Sequence, residues 1–154
     1  MVVFLALALC LACQAQTSFV GLVGDELAEC QILFGNGVKV GPDVAWFDGL
    51  DSDAGEGWRF GIAGTYDVIS NAPAKLFGID PNATVYVGGV GGAFCVRGEN
   101  ADATAALTSG LRLIEGNASI GIQFQYLLTK DLWKELADIP DDSRVLFEVE
   151  WRFQ

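Results

Sequence analysis

The last ten residues of the chain, Val145-Leu146-Phe147-Glu148-Val149-Glu150-Trp151-Arg152-Phe153-Gln154, alternate between oily and charged side chains. Successive side chains of a strand point to opposite faces. Val145, Phe147, Val149, Trp151 and Phe153 therefore share one face, and Leu146, Glu148, Glu150 and Arg152 share the other. A register slip of one residue would exchange the two faces completely. A strand so strongly two-sided needs neighbours of the same character, which restricts the chain to a sheet with one apolar and one polar surface.

Matching strands are legible upstream. Thr17 to Gly24 is a short apolar run, and Asp25 to Cys30 is polar enough for a loop. Gln31 to Phe34 and Val38 to Phe47 flank Gly35-Asn36-Gly37, whose Asn-Gly step is a strong hairpin signal, while Pro42 implies an edge, a bulge or a break. A loop rich in Asp and Gly is expected from Asp48 to Gly57. Next, Trp58, Phe60, Ile62, Tyr66 and Val68 oppose Arg59, Gly61, Ala63, Thr65 and Asp67. After a connection from Ile69 to Ala83, with a helical turn at Ala74 to Phe77, the pattern resumes: Tyr86, Val90, Phe94 and Val96 are assigned to the oily face, against Cys95 and Arg97. Leu107, Leu111 and Leu113 run into the tight turn Glu115-Gly116-Asn117, and Ile120, Ile122, Phe124 and Tyr126 answer them. Leu132, Trp133, Leu136 and Ile139 have helix-like spacing, so a short helix is expected on the last loop. The sum is about eight strands of an all-β, antiparallel up-and-down barrel.

Composition decides what such a barrel can do. Its 154 residues make one domain, and 51% hydrophobic content with 19 Gly excludes a disordered chain. Beyond the N-terminus no apolar run reaches the roughly 18 residues a membrane helix requires. A net charge of −11, from 20 acids against 9 bases, argues against nucleic acid or an anionic surface as a partner. Residues 1–15 read as a secretory signal with cleavage near Ala15, leaving 16–154 as the barrel domain; acylation of Cys13 is the rival reading. Cys30 and Cys95 would then remain, as a candidate disulfide in an exported protein.

Alternation alone does not say which face is inside. A soluble exterior calls for well-hydrated charges, yet the polar face here is mostly Gly, Ala, Ser, Thr and Gln with isolated ions. Such small residues suit a narrow interior. Arg59, Arg97, Arg112 and Arg152 share that face with Asp67, Glu148 and Glu150, and Arg favours enclosed, bidentate pairing with carboxylates. A lumen filled by this ion-pair network is predicted, in preference to an open channel. On the oily face, Trp58, Tyr66, Tyr86, Tyr126, Trp151 and Phe153 fall near strand ends, where aromatic residues gather at a membrane interface. The alternative is a secreted soluble β-barrel or sandwich that turns its aromatic face inward and holds an apolar ligand.

The signal sequence, the Gly-rich alternating strands, the tight Glu115-Gly116-Asn117 turn and the Trp151-Arg152-Phe153 ending together resemble the small bacterial outer-membrane barrels of the OmpA transmembrane, OmpX and opacity-protein type. The likeness covers Thr17 to Gln154 and is one of pattern. It implies an integral, non-enzymatic protein of the cell outer membrane, with an envelope structural or surface-interaction role. Outer-membrane lipid is the implied partner, as is the barrel-assembly machinery, through the C-terminal strand. It also implies periplasmic termini, with the Asp48–Gly57 loop and the loop ending at Arg144 outside the cell.

Catalytic chemistry finds little support. There is no His, which removes the ordinary serine triad, Cys-His catalysis and most zinc sites. Glu148 and Glu150 could mimic an acid/base pair, but Arg152 beside them favours ion pairing. Asp51-Ser-Asp53-Ala-Gly55-Glu56 only faintly matches a calcium loop, and Gly88 to Gly92 lacks the Lys and helix of a phosphate loop. Neither a cofactor nor a metal is expected.

Overall fold

The structure, a computed structural model, describes residues 16–24, 27–50, 55–75, 80–96, 102–128 and 143–153. The signal sequence, the calcium-like stretch at 51–54, Arg97 and the helix expected within 132–139 lie outside the described residues. Eight strands follow one another: β1 Thr17–Gly24, β2 Leu27–Phe34, β3 Val38–Leu50, β4 Gly55–Pro73, β5 Asn82–Val96, β6 Asp102–Glu115, β7 Ala118–Leu127 and β8 Ser143–Phe153. Each pairs antiparallel with the next, and β1 pairs with β8, so the sheet closes into an up-and-down barrel. Closure places Phe19 opposite Trp151 and Leu22 opposite Glu148. Among the described residues no helix is long and apolar enough to cross a membrane.

The turns differ at the two ends of the barrel. At the end that carries both termini, Gly35-Asn36-Gly37 connects β2 to β3, with Gly37 at φ 73°. Only glycine adopts that left-handed conformation without strain. Residues 116–117 join β6 to β7 at the same end. The opposite end carries the β1–β2, β3–β4, β5–β6 and β7–β8 connections.

Several strand limits differ from those expected. β2 begins at Leu27, so most of the stretch expected as a loop from Asp25 to Cys30 is strand. The connection expected from Ile69 to Ala83 is strand at both of its ends: β4 runs to Pro73 and β5 starts at Asn82. The irregular pattern there has a physical cause. Register shifts after Asp67 and after Ile69 break the period of two, so Val68 and Ile69 are both exposed, and Asn71 takes φ 52°. Pro42 sits within β3, paired with Ile62 of β4, while the β2–β3 pairing lapses between Gln31–Asp43 and Phe34–Val40. That lapse fits a residue with no N–H to give.

The faces are sorted by sign. Trp58, Phe60, Ile62, Leu107, Ile122, Phe124, Phe147, Val149, Trp151 and Phe153 are exposed, most near half of their surface, while Arg59, Arg112, Glu148 and Glu150 are at most 1% exposed. The barrel is oily outside and charged inside.

One strand, β5, is oriented opposite to the expectation from its sequence. On β5 the inward residues are Tyr86, Val90 and Phe94, at 0%, 4% and 1% exposure, and Val85 and Val87 point outward. Both faces of this strand are apolar, so hydrophobicity could not orient it. Placing the bulkier residues outward was incorrect, because the interior uses Tyr86 for its hydroxyl and Phe94 for its volume.

Candidate functional site

The lumen holds two groups of ions at different depths. In the first, Arg59 on β4 reaches Glu29 on β2 through Nη2 at 2.8 Å and Asp43 on β3 through Nε at 2.9 Å. Gln125 on β7 donates to Glu29 at 2.8 Å, and Gln31 donates to both Glu29 and Asp43. Four strands are thereby tied through one guanidinium and two carboxylates.

The second group lies toward the end with the termini. Arg112 on β6 pairs with Glu148 through Nε and lies 3.6 Å from Glu150 and 3.9 Å from Asp67. Lys39 on β3 meets Glu150 at 2.5 Å, Arg152 meets it at 3.1 Å, and Ser119 donates to it at 3.1 Å. Tyr86 donates its hydroxyl proton to Glu148, with the Gln123 amide 2.8 Å from the same hydroxyl, and its ring covers Arg112 at 3.9 Å from guanidinium carbon to ring centre. Among the described residues, Lys39, Arg59, Arg112, Arg144 and Arg152 face inward against Glu29, Asp43, Asp67, Glu148 and Glu150, so charge inside is balanced. Balance matters because an unpaired ion enclosed in this way would cost several kcal/mol.

Of the residues predicted for the lumen, Arg112, Glu148, Glu150, Asp67 and Arg152 come together, while Arg59 belongs to the other group. Gln125 lies on the polar face of β7, as its phase implies, whereas Lys39, Glu29, Asp43, Gln31 and Tyr86 are lumen residues beyond those expected there. The signal for Glu29 and Gln31 was their phase with Leu27 and Leu33, obscured by reading Asp25 to Cys30 as a loop. Lys39 and Asp43 share a face of β3 on either side of Pro42, which masked their common phase.

Of the aromatics assigned to the exterior, Trp58, Tyr66, Tyr126, Trp151 and Phe153 are 44–56% exposed. Tyr86 is corrected: it is a lumen residue with no exposed surface. The candidate disulfide is corrected as well. Cys30 on β2 and Cys95 on β5 are both free thiols, held on strands separated by β3 and β4.

No group of three or more potential metal ligands occurs among the described residues. The ions of each cluster pair largely with one another. What the arrangement can do is cross-link strands: Arg59 bridges β4 to β2 and β3, and Glu150 on β8 bridges to Lys39 on β3.

No protein-family model and no curated protein matches the chain. Among solved structures it is similar to Neisserial surface protein A, with a TM-score of 0.48, 12% identity, and 90% of this chain and 94% of that one covered. It is also similar to the N-terminal β-barrel domain of Pseudomonas aeruginosa OprF, with a TM-score of 0.44, 12% identity, and 90% and 96% covered. The architecture itself rests on the eight paired strands.

Proposed function

We propose that the protein is an integral outer-membrane β-barrel with a closed lumen, non-enzymatic, which serves the envelope as a structural element or a surface for contact. One observation carries this reading: on β8, Phe147, Val149, Trp151 and Phe153 are 47–54% exposed while Glu148 and Glu150, between them, are fully enclosed. Water would favour the opposite arrangement, because exposed apolar surface costs about 25 cal/mol per Å² and enclosed ions lose their hydration. Acyl chains around the barrel remove the first cost, and ion pairing within it offsets the second. Strands β3 to β8, at ten residues or more, are long enough to cross a bilayer when tilted. The paired Arg59 and Arg112 clusters tie strands together across the lumen. The acid-rich segments Asp48 to Glu56 and Glu135 to Asp142 supply the surface role.

The soluble alternative needs an apolar pocket inside, and the interior here is occupied by ion pairs and by packed apolar side chains. Native outer-membrane fractionation tests the proposal, together with electrophoresis in detergent of heated and unheated protein. Partition with outer membranes and a heat-dependent mobility shift are expected. A chain that stays soluble without detergent and shows no shift overturns the reading.

A further inference from the structure

The lumen is not polar along its whole depth. Toward the end opposite the termini the inward positions include Leu22 on β1, Leu27 on β2, Phe47 on β3, Phe94 on β5, Leu127 on β7 and Leu146 on β8, each at most 4% exposed, with Arg144 beyond Leu146 on β8. They belong to one buried apolar cluster that also takes in Val20, Leu33, Ala45, Ala63, Val90 and Ala106; within it the Phe47 and Phe94 rings meet edge to face at 5.1 Å and Leu27 pairs directly with Phe47 across β2 and β3. The inward sequence of β8 shows the layering: Arg144, then Leu146, then Glu148, Glu150 and Arg152. The Phe47 ring has the Arg144 guanidinium 5.5 Å from its centre and the Arg59 guanidinium 5.9 Å from it.

The other part of the lumen is of a different kind. Arg112 Nη1 and Nη2 and Gln123 Nε2 have no hydrogen-bond partner in the protein, and buried donors of this kind are ordinarily completed by water. At the end with the termini, a polar cavity of about 170 Å³ is lined by Lys39, Asp67, Asn71, Thr84 and Arg152 among others. At about 30 Å³ per molecule it has room for several waters.

From this layering we infer that ions are excluded by the apolar layer of Leu22, Leu27, Phe47, Phe94, Leu127 and Leu146, and that the ion-paired part of the lumen is a hydrated blind vestibule entered from the end that carries the termini. An ion-paired interior can exchange partners with a passing ion and so relay it; an apolar constriction offers no partner and stays dry. The two layers divide the work: pairs hold the strands together, and the apolar layer stops flux.

This inference rests on the membrane-barrel reading, and its test separates the two. The full chain, Phe47→Ser/Phe94→Ser and Glu150→Gln are each reconstituted into planar bilayers in potassium chloride, after heated and unheated electrophoresis has established that each is folded. Stepwise openings absent from the parent chain are expected in the double Phe variant, and none in Glu150→Gln. If the double Phe variant does not fold, Leu127→Ser/Leu146→Ser opens the same layer from its opposite side. Openings in Glu150→Gln with the layer intact, or silence in a folded layer variant, overturn the seal. Failure of the parent chain to insert at all overturns the membrane reading instead.

Discussion

The Arg112 guanidinium carbon lies 3.9 Å from the centre of the Tyr86 ring, and the Tyr86 hydroxyl and Arg112 Nε both bond the Glu148 carboxylate. One carboxylate is thus held from two strands, by a charge and by a neutral donor whose own ring shields that charge. Tyr86→Phe keeps the ring over Arg112 and removes only the hydroxyl. It is expected to lower stability by about 1–3 kcal/mol, the cost of a lost enclosed bond to a charged acceptor. Urea midpoints of the reconstituted barrel measure it, and an unchanged midpoint contradicts the bond.

Gly110 makes room for that ring. It pairs across the strands with Tyr86, and a Cβ at this position would lie 2.5 Å from Tyr86 Cζ and Oη. Gly110→Ala should therefore cost about 1–3 kcal/mol by overpacking. In a Tyr86→Ala background the same substitution should fall within about 0.5 kcal/mol of neutral, since the obstruction is gone. Equal costs in both backgrounds would show that Gly110 serves something other than the ring.

Arg112→Ala leaves Glu148 and Glu150 short of their shared partner. A loss of about 3 kcal/mol or more is expected, because an enclosed carboxylate without its cation is strongly disfavoured. Lys39 and Arg152 still hold Glu150, so Glu148→Gln in the Arg112→Ala chain should recover part of the loss. Thermal or urea unfolding of the single and double variants decides it.

Val149 is 47% exposed, which makes it diagnostic of the solvent around the barrel. In water, Val149→Arg at an exposed strand position should change stability by no more than about 0.5 kcal/mol. Facing lipid, it should cost up to about 2–4 kcal/mol, the most if the site lies near the midplane. Refolding yields and urea midpoints in vesicles distinguish the two values directly.

Cys30 and Cys95 face away from the lumen as free thiols. Reducing agent should leave the unfolding midpoint and the gel mobility of the folded monomer unchanged, and Cys30→Ser with Cys95→Ser should fold as the parent does. A mobility change on reduction would contradict the separation of β2 from β5.

Much of this was written in local pattern. The alternation of β8, β7 and most of β4 orients those strands because one face is oily and the other is not. The turns at Gly37 and Gly116 are marked by residues that tolerate positive φ. Where both faces carry similar side chains, as on β5, sequence alone has no contrast to read. There the choice fell to Gly110, which vacates a space that only Tyr86 fills, and to Glu148, which needs the hydroxyl.

The sequence by itself determined that the chain makes antiparallel strands with an oily and a polar face, since a period of two is a property of the strand alone. Only the tertiary structure decided which ions meet. Lys39 and Glu150 are 111 residues apart, and no local pattern relates them. Closure of β1 on β8 brings their strands around a common lumen, and the layering of ions against Phe47 and Phe94 follows from the depth each strand reaches within it.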